Sequence, residues 1–298
     1  ANSDYDNAAN WYYNAVPNVN SDVIIPSDAT IDIDMPSGDL TVNSMSIAAG
    51  ASIISGGTIT GPISYTRTIP TTNWYLISSP VVGQNKDAFV SASNLAAGTG
   101  NNVGFADYDN GTGGWSYYQS TATGTTGPPG VGSNWESLGL GEGHAVKLNA
   151  VGDVVFTGTF NDADASIALS STTEYNLIGN PYLASVSVGE LLGQDNLETL
   201  LTEKTIWLWD QSQDTYVQKN LSKDLEIDPG QAFFVSAKTA GEFRINKSMQ
   251  SHSSDTFQKT TIRPEVALTL SNGKVSRTAS IFYIDGATTG FDNGYDSS

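Results

Sequence analysis

The chain has 298 residues, with 31 acidic side chains against 13 basic ones and a formal charge of −18. Such a surface repels polyanions, which excludes nucleic acid and anionic membrane faces as partners. There is no cysteine, so a disulfide framework and a thiolate metal or redox site are both excluded.

Residues 1–64 read as short strands separated by small-residue turns. Val23-Ile24-Ile25, Ile31-Asp32-Ile33, Leu40-Thr41-Val42, Ser46-Ile47, Ser52-Ile53-Ile54 and Thr58-Ile59 follow one another at short, even spacing. Strands this short, divided by Gly, Pro and Asp turns, predict a β-solenoid or a meander. The N-terminus, Ala1-Asn2-Ser3-Asp4, lacks the features of a signal peptide, so the chain reads as a mature, processed form. No apolar run reaches the roughly 18 residues of a membrane span, and insertion into a bilayer is not expected.

Two tandem repeats follow, at 65–160 and 161–260. Trp74-Tyr75-Leu76-Ile77-Ser78-Ser79-Pro80 recurs as Tyr175-Asn176-Leu177-Ile178-Gly179-Asn180-Pro181, an offset of 101 residues. The same offset takes Tyr108-Asp109 to Trp209-Asp210 and Trp115 to Tyr216. Further on, Gly143-His144-Ala145-Val146 matches Gly230-Gln231-Ala232-Phe233 at an offset of 87, which makes His144 a polar strand position rather than a base. Alternating apolar strands that stop at X-Pro bonds predict a β-sandwich-like unit for each copy. One helix is predicted in copy two, capped by Asp195, with Leu197, Leu200 and Leu201 on one face and Lys204 near its end. Residues 261–298 give a C-terminal β-hairpin segment, Val266–Leu270 and Ile281–Ile284 about an Asn272-Gly273 turn, that ends as an incomplete domain. The fold class is therefore all-β.

No acid, base or nucleophile is duplicated with the scaffold, and no Gly-x-Ser-x-Gly, His-Glu-x-x-His or phosphate-cradling loop occurs. An enzyme is not expected. Oxygen ligands at alternate positions on one loop are how a hard cation is gathered, which points to Ca2+. Three segments fit: Asp107, Asp109 and Asn110; Asp162 and Asp164; and Asp292, Asn293 and Asp296. Matched aromatics, Tyr108/Trp209 and Trp115/Tyr216, read as packing residues of the repeat cores. Aromatics unmatched between the copies are the candidates for stacking on sugar: Tyr117, Tyr118 and Trp135, beside the 119–134 loop that copy two lacks.

Several segments resemble exported β-rich surface proteins of the Bacteroidota, carried by the type IX secretion system. The residues responsible are Tyr175–Tyr182, Ile206-Trp207-Leu208-Trp209-Asp210, Ile227-Asp228-Pro229-Gly230-Gln231-Ala232-Phe233-Phe234-Val235 and the 285–296 segment. The resemblance implies an extracellular, cell-surface location without the C-terminal sorting domain, and a structural or adhesive role. Self-association through exposed β-edges, contact with other surface proteins, and polysaccharide are the partners it suggests. The alternative is a carbohydrate-binding accessory module of a secreted polysaccharide-degrading protein.

Overall fold

The computed structural model describes residues 4–27, 33–34, 38–121, 124–126, 137–211, 213–221, 225–252, 265–271 and 276–282. The chain is mostly β, and its α-helices are short. Seven strands open it: β1 (Asp22–Ile25), β2 (Ile33–Asp34), β3 (Leu40–Thr41), β4 (Ser44–Ile47), β5 (Ile53–Ile54), β6 (Ile59–Thr60) and β7 (Ile63–Ile69). Every third strand pairs in parallel: β1 with β4 and β4 with β7, β2 with β5, β3 with β6. Alternation then turns Val23, Ile25, Met45 and Ile47 inward and leaves Ile24 facing water. β7 runs through the 64/65 boundary, because its other edge pairs antiparallel with a strand of copy one.

Copy one contains β8 (Tyr75–Ser78), α1 (Lys86–Ala92), β9 (Asn102–Asp109), β10 (Gly114–Thr121), β11 (Gly124–Thr126), β12 (Gly143–Val146) and β13 (Gly152–Gly158). Copy two contains β14 (Ala165–Leu169), β15 (Tyr175–Gly179), β16 (Ser185–Ser187), α2 (Val188–Leu192), α3 (Leu197–Leu200), β17 (Leu201–Asp210), β18 (Thr215–Asn220), β19 (Glu226–Ile227), β20 (Ala232–Ala237), β21 (Gly241–Ile245) and β22 (Gln250–Ser251). The antiparallel pair β23 (Glu265–Ser271) and β24 (Ser276–Phe282) follows.

The two copies share a strand order. The central sheet of copy one, β11-β10-β9-β12-β8, matches that of copy two, β18-β17-β20-β15, in strand order, while β13 pairs with β7 at the edge of the four-stranded sheet β1-β4-β7-β13 and β14 pairs with β21. The first core fills the space between the copy-one layers and the N-terminal strands, with Ile63, Tyr75, Phe105, Val146 and Phe156 at its centre. The second fills copy two, around Ile167, Ile206, Phe233 and Phe243. A third core lies between the two central sheets: Leu76, Ala106 and Ala145 from copy one meet Leu177, Trp207, Ala232 and Phe234 from copy two. Both central sheets are thus covered on both faces, which is why β8, β12 and β20 are buried at every residue.

The copies meet reciprocally. Ser78 N donates to Gly230 O at 3.1 Å, and Gly179 N donates to Gly141 O at 2.9 Å. The reciprocal pair marks an approximate twofold relation between the copies, the arrangement of an isologous dimer held in one chain. Gly141 and Gly230 carry the same backbone, φ +74 and +76, which makes them equivalent and requires glycine at both turns.

That equivalence corrects the sequence alignment. Gly143 pairs with Ser78 and Ala232 with Gly179, so the second half of the repeat is offset by 89 residues, not 87. His144, opposite Ile77, corresponds to Phe233, opposite Ile178, and not to Gln231. The expected helix of copy two is also shorter than its pattern suggested. α3 ends at Leu200 and Lys204 stands in β17, because Ile206 and Trp207 pair with Val235 and Phe234 and draw the chain into the sheet.

Candidate functional site

The aromatics matched between the copies sit in the seam between the central sheets, not in the two repeat cores where they were expected. Tyr108 and Trp115 are cross-strand partners on β9 and β10, with ring centroids 5.1 Å apart. Trp209 and Tyr216 repeat the arrangement on β17 and β18 at 4.8 Å. Phe234, from β20, turns its ring edge-to-face with Tyr108 at 4.9 Å and Tyr216 at 5.4 Å. Tyr175 meets Trp207 at 5.6 Å in the same geometry. Rings so arranged do not form a coplanar row; they wall a cleft.

This cleft has a volume of about 700 Å³. Tyr108, Trp115, Tyr175, Trp207, Tyr216 and Phe234 supply its aromatic wall, and Val217 and Gln218 of β18 complete it. None of these side chains is charged. β18 and β15 are the two edge strands of their sheet, and Tyr216 on β18 keeps 43% of its surface exposed and Tyr175 on β15 keeps 44%. Burial pushes the Tyr216 hydroxyl up to about 12, and burial likewise raises Tyr108, with Tyr175 and Asp109 adding to the effect. These phenols remain neutral donors and acceptors through the physiological range.

The hairpin turns position the walls. Asp109 accepts hydrogen bonds from Gly111 N at 2.7 Å and Thr112 Oγ1 at 2.8 Å, which folds the β9–β10 turn on itself. The next residue, Asn110, reaches the other copy: its Oδ1 accepts from Leu177 N at 3.1 Å and its carbonyl from Thr173 Oγ1 at 2.9 Å. In the reciprocal contact Asn73 Nδ2 donates to Gln211 O at 2.8 Å. Each hairpin is therefore pinned to the opposite copy, with the aromatic pair at its base aimed into the seam.

The candidate calcium ligands do not converge. Asp107 points to the opposite face of β9 from Tyr108, where Lys86 Nζ donates to its Oδ2 at 2.8 Å and His144 Nδ1 lies 2.5 Å from its Oδ1. Asp109 is spent on its own turn and Asn110 on Leu177. Thr58 Oγ1 donates to Asp162, and Lys247 N donates to Asp164 at 2.8 Å. Among the described residues no three His, Cys, Asp or Glu side chains assemble a metal site. Asp292, Asn293 and Asp296 lie outside the described residues, as does Trp135.

The two remaining sugar-stacking candidates part company. Tyr118 is fully buried in the first core, edge-on to Phe105 at 5.2 Å, and offers no surface to a ligand. This corrects the expectation for that residue: alternation on β10 sends Tyr118 inward and Tyr117 into the seam. Tyr117 is half-buried, 6.0 Å from Trp74.

Asp107, His144 and Lys86 form a buried polar cluster on the core side of the copy-one sheet. Burial pushes the Asp107 carboxyl up, but the hydrogen bond and charge of His144, with those of Lys86, outweigh it and hold the group below its ordinary value. The ring of His144 stacks on Phe105 at 5.5 Å, and its Nε2 is buried with no hydrogen-bond partner among the described residues. Ala106 and Ala145, the neighbours of Asp107 and His144, face the seam instead. The acid–imidazole pair is thus separated from the aromatic cleft by the thickness of the sheet.

No protein-family model, curated protein or solved structure matched this chain.

Proposed function

We propose that this chain is a non-catalytic glycan-binding protein of an extracellular surface, and that the cleft between its repeats holds the apolar faces of neutral sugar rings. The observation that carries the reading is the 700 Å³ cleft walled by six aromatic rings without a charged side chain. A pyranose presents C–H bonds on its faces and hydroxyls around its edge. Aromatic faces match the first, and Gln218 with the Tyr hydroxyls matches the second. The net charge of −18 disfavours acidic polysaccharides as partners. Placement of Asp107 and His144 on the far side of the sheet supports binding without hydrolysis. Edge-to-face walls suit a soluble chain inserted into the seam better than a flat crystalline surface.

The reading fits the surface-displayed, adhesive role and type IX export that the sequence resemblance implies. We read the parallel ladders of β1–β7 as a short solenoid that acts as the support of this binding unit. Calorimetric titration with neutral tetrasaccharides, cellotetraose, xylotetraose, mannotetraose and maltotetraose, tests it. At least one is expected to bind, and Trp207→Ala to weaken that binding about tenfold, a loss of about 1.4 kcal/mol. Absence of binding to all four at millimolar concentration would sink the proposal.

A further inference from the structure

The seam has a second mouth. Beyond Trp115 and Tyr216, which line both hollows, lies a cleft of about 190 Å³ bounded by Trp74, Tyr117, Trp209 and Asp214. The twofold relation between the copies maps one cleft onto the other: Trp74 stands where Tyr175 does, Trp209 where Tyr108 does, and Tyr117 where Gln218 does. We infer that this smaller cleft is a second binding site for the same class of ligand, the neutral sugar ring, so that one chain holds two glycan segments. The inference rests on the reading of the larger cleft given above.

Two observations support it. Four of the six aromatic positions are kept with exchanged identities, Tyr108 for Trp209 and Tyr175 for Trp74, with Trp115 and Tyr216 shared by both clefts, whereas Trp207 and Phe234 correspond to Ala106 and Ala145. The size difference has a local cause: Tyr117 leans on Trp74 at 6.0 Å and 63°, filling space that Gln218 leaves open on the other side. Asp214 adds an acceptor at the mouth. Two sites related by a twofold axis face different directions, which lets a single chain join two polysaccharide strands, the property an adhesive or matrix protein needs.

Native mass spectrometry with the tetrasaccharide that binds most tightly reads the stoichiometry directly. Two ligands per wild-type chain are expected, falling to one in Tyr175→Ala, which alters only the larger cleft, and to one in Trp74→Ala, which alters only the smaller. Tyr117→Gln, which gives the smaller cleft the residue of the larger, is expected to tighten the second binding step by about tenfold, the effect of 1.4 kcal/mol. Circular dichroism of each variant confirms its fold. One ligand per wild-type chain, with Trp74→Ala unchanged, overturns the second site and leaves the first intact. A single ligand on the wild-type chain that disappears in both variants means one strand spans both clefts and also overturns it. No bound ligand in any form defeats the proposed function itself.

Discussion

His144 of β12 and Phe233 of β20 occupy the same position in the two repeats, each opposite the equivalent isoleucine, Ile77 or Ile178. Around them the substitution is concerted. Lys86 opens α1 where Val188 opens α2, and Asp107 stands 101 residues before Leu208. Val188, Leu208 and Phe233 are each at most 1% exposed. One scaffold therefore accepts either a charged cluster or an apolar one at the same core site.

Removing Asp107 takes its carboxylate away from the buried Lys86 ammonium. Asp107→Leu is expected to lose about 3–5 kcal/mol of stability in urea unfolding, whereas Lys86→Val/Asp107→Leu/His144→Phe, which writes copy two's residues into copy one, is expected to be neutral or more stable by about 1–4 kcal/mol. A triple variant as unstable as the single one would mean that the copies pack these positions differently.

The same cluster sets a dependence on acid. The folded Asp107 carboxyl lies below its ordinary value of 3.8. Its contribution is thus present above the unfolded value and is lost as pH falls from about 4 through the lower folded value. Asp107→Asn is expected to flatten the stability curve below pH 4 relative to wild type, as read by thermal unfolding across pH. An equally steep curve in the variant would assign the acid sensitivity to other carboxylates.

Close approach of the two copies is a third point of leverage. A Cβ on Gly179 would overlap Ser78 Cβ and lie 2.8 Å from Gln231 O. Gly179→Ala is expected to destabilise the chain by several kcal/mol, since Ser78 Cβ is fixed in the opposing copy's sheet and Gln231 O in the neighbouring backbone of copy two. On β18, at the open rim, Gln218→Ala is expected to change stability by less than about 0.5 kcal/mol. Equal losses at the two sites would contradict the placement of the seam.

Much of the architecture is legible in the residues themselves. Short strands at even spacing mark β1 to β6, and the X-Pro stops with repeated aromatics reveal the duplication. The register of its second half is not legible, for a specific reason. Copy one offers Gly141 and Gly143, and either can be matched to Gly230, but only Gly141 shares its positive φ. The seam is hidden for a related reason: Tyr108 and Trp115 alternate out of one core, and sequence alone does not say whether that outward face meets water or another sheet. A signal for the second outcome was present in Tyr75–Ser78 and Ala232–Val235, runs apolar on both faces, as strands covered on both sides must be.

The most direct test of the aromatic seam is the indole N–H spectrum of the six tryptophans during titration with the neutral tetrasaccharides. Trp11, which donates from Nε1 to Tyr5 O at 2.8 Å away from the seam, serves as the internal control. The account predicts that Trp115 and Trp207 shift first, Trp74 and Trp209 at higher sugar concentration, and Trp11 not at all. Sugar binding that leaves the seam tryptophans unmoved, or no shift with any of the four sugars, would contradict it.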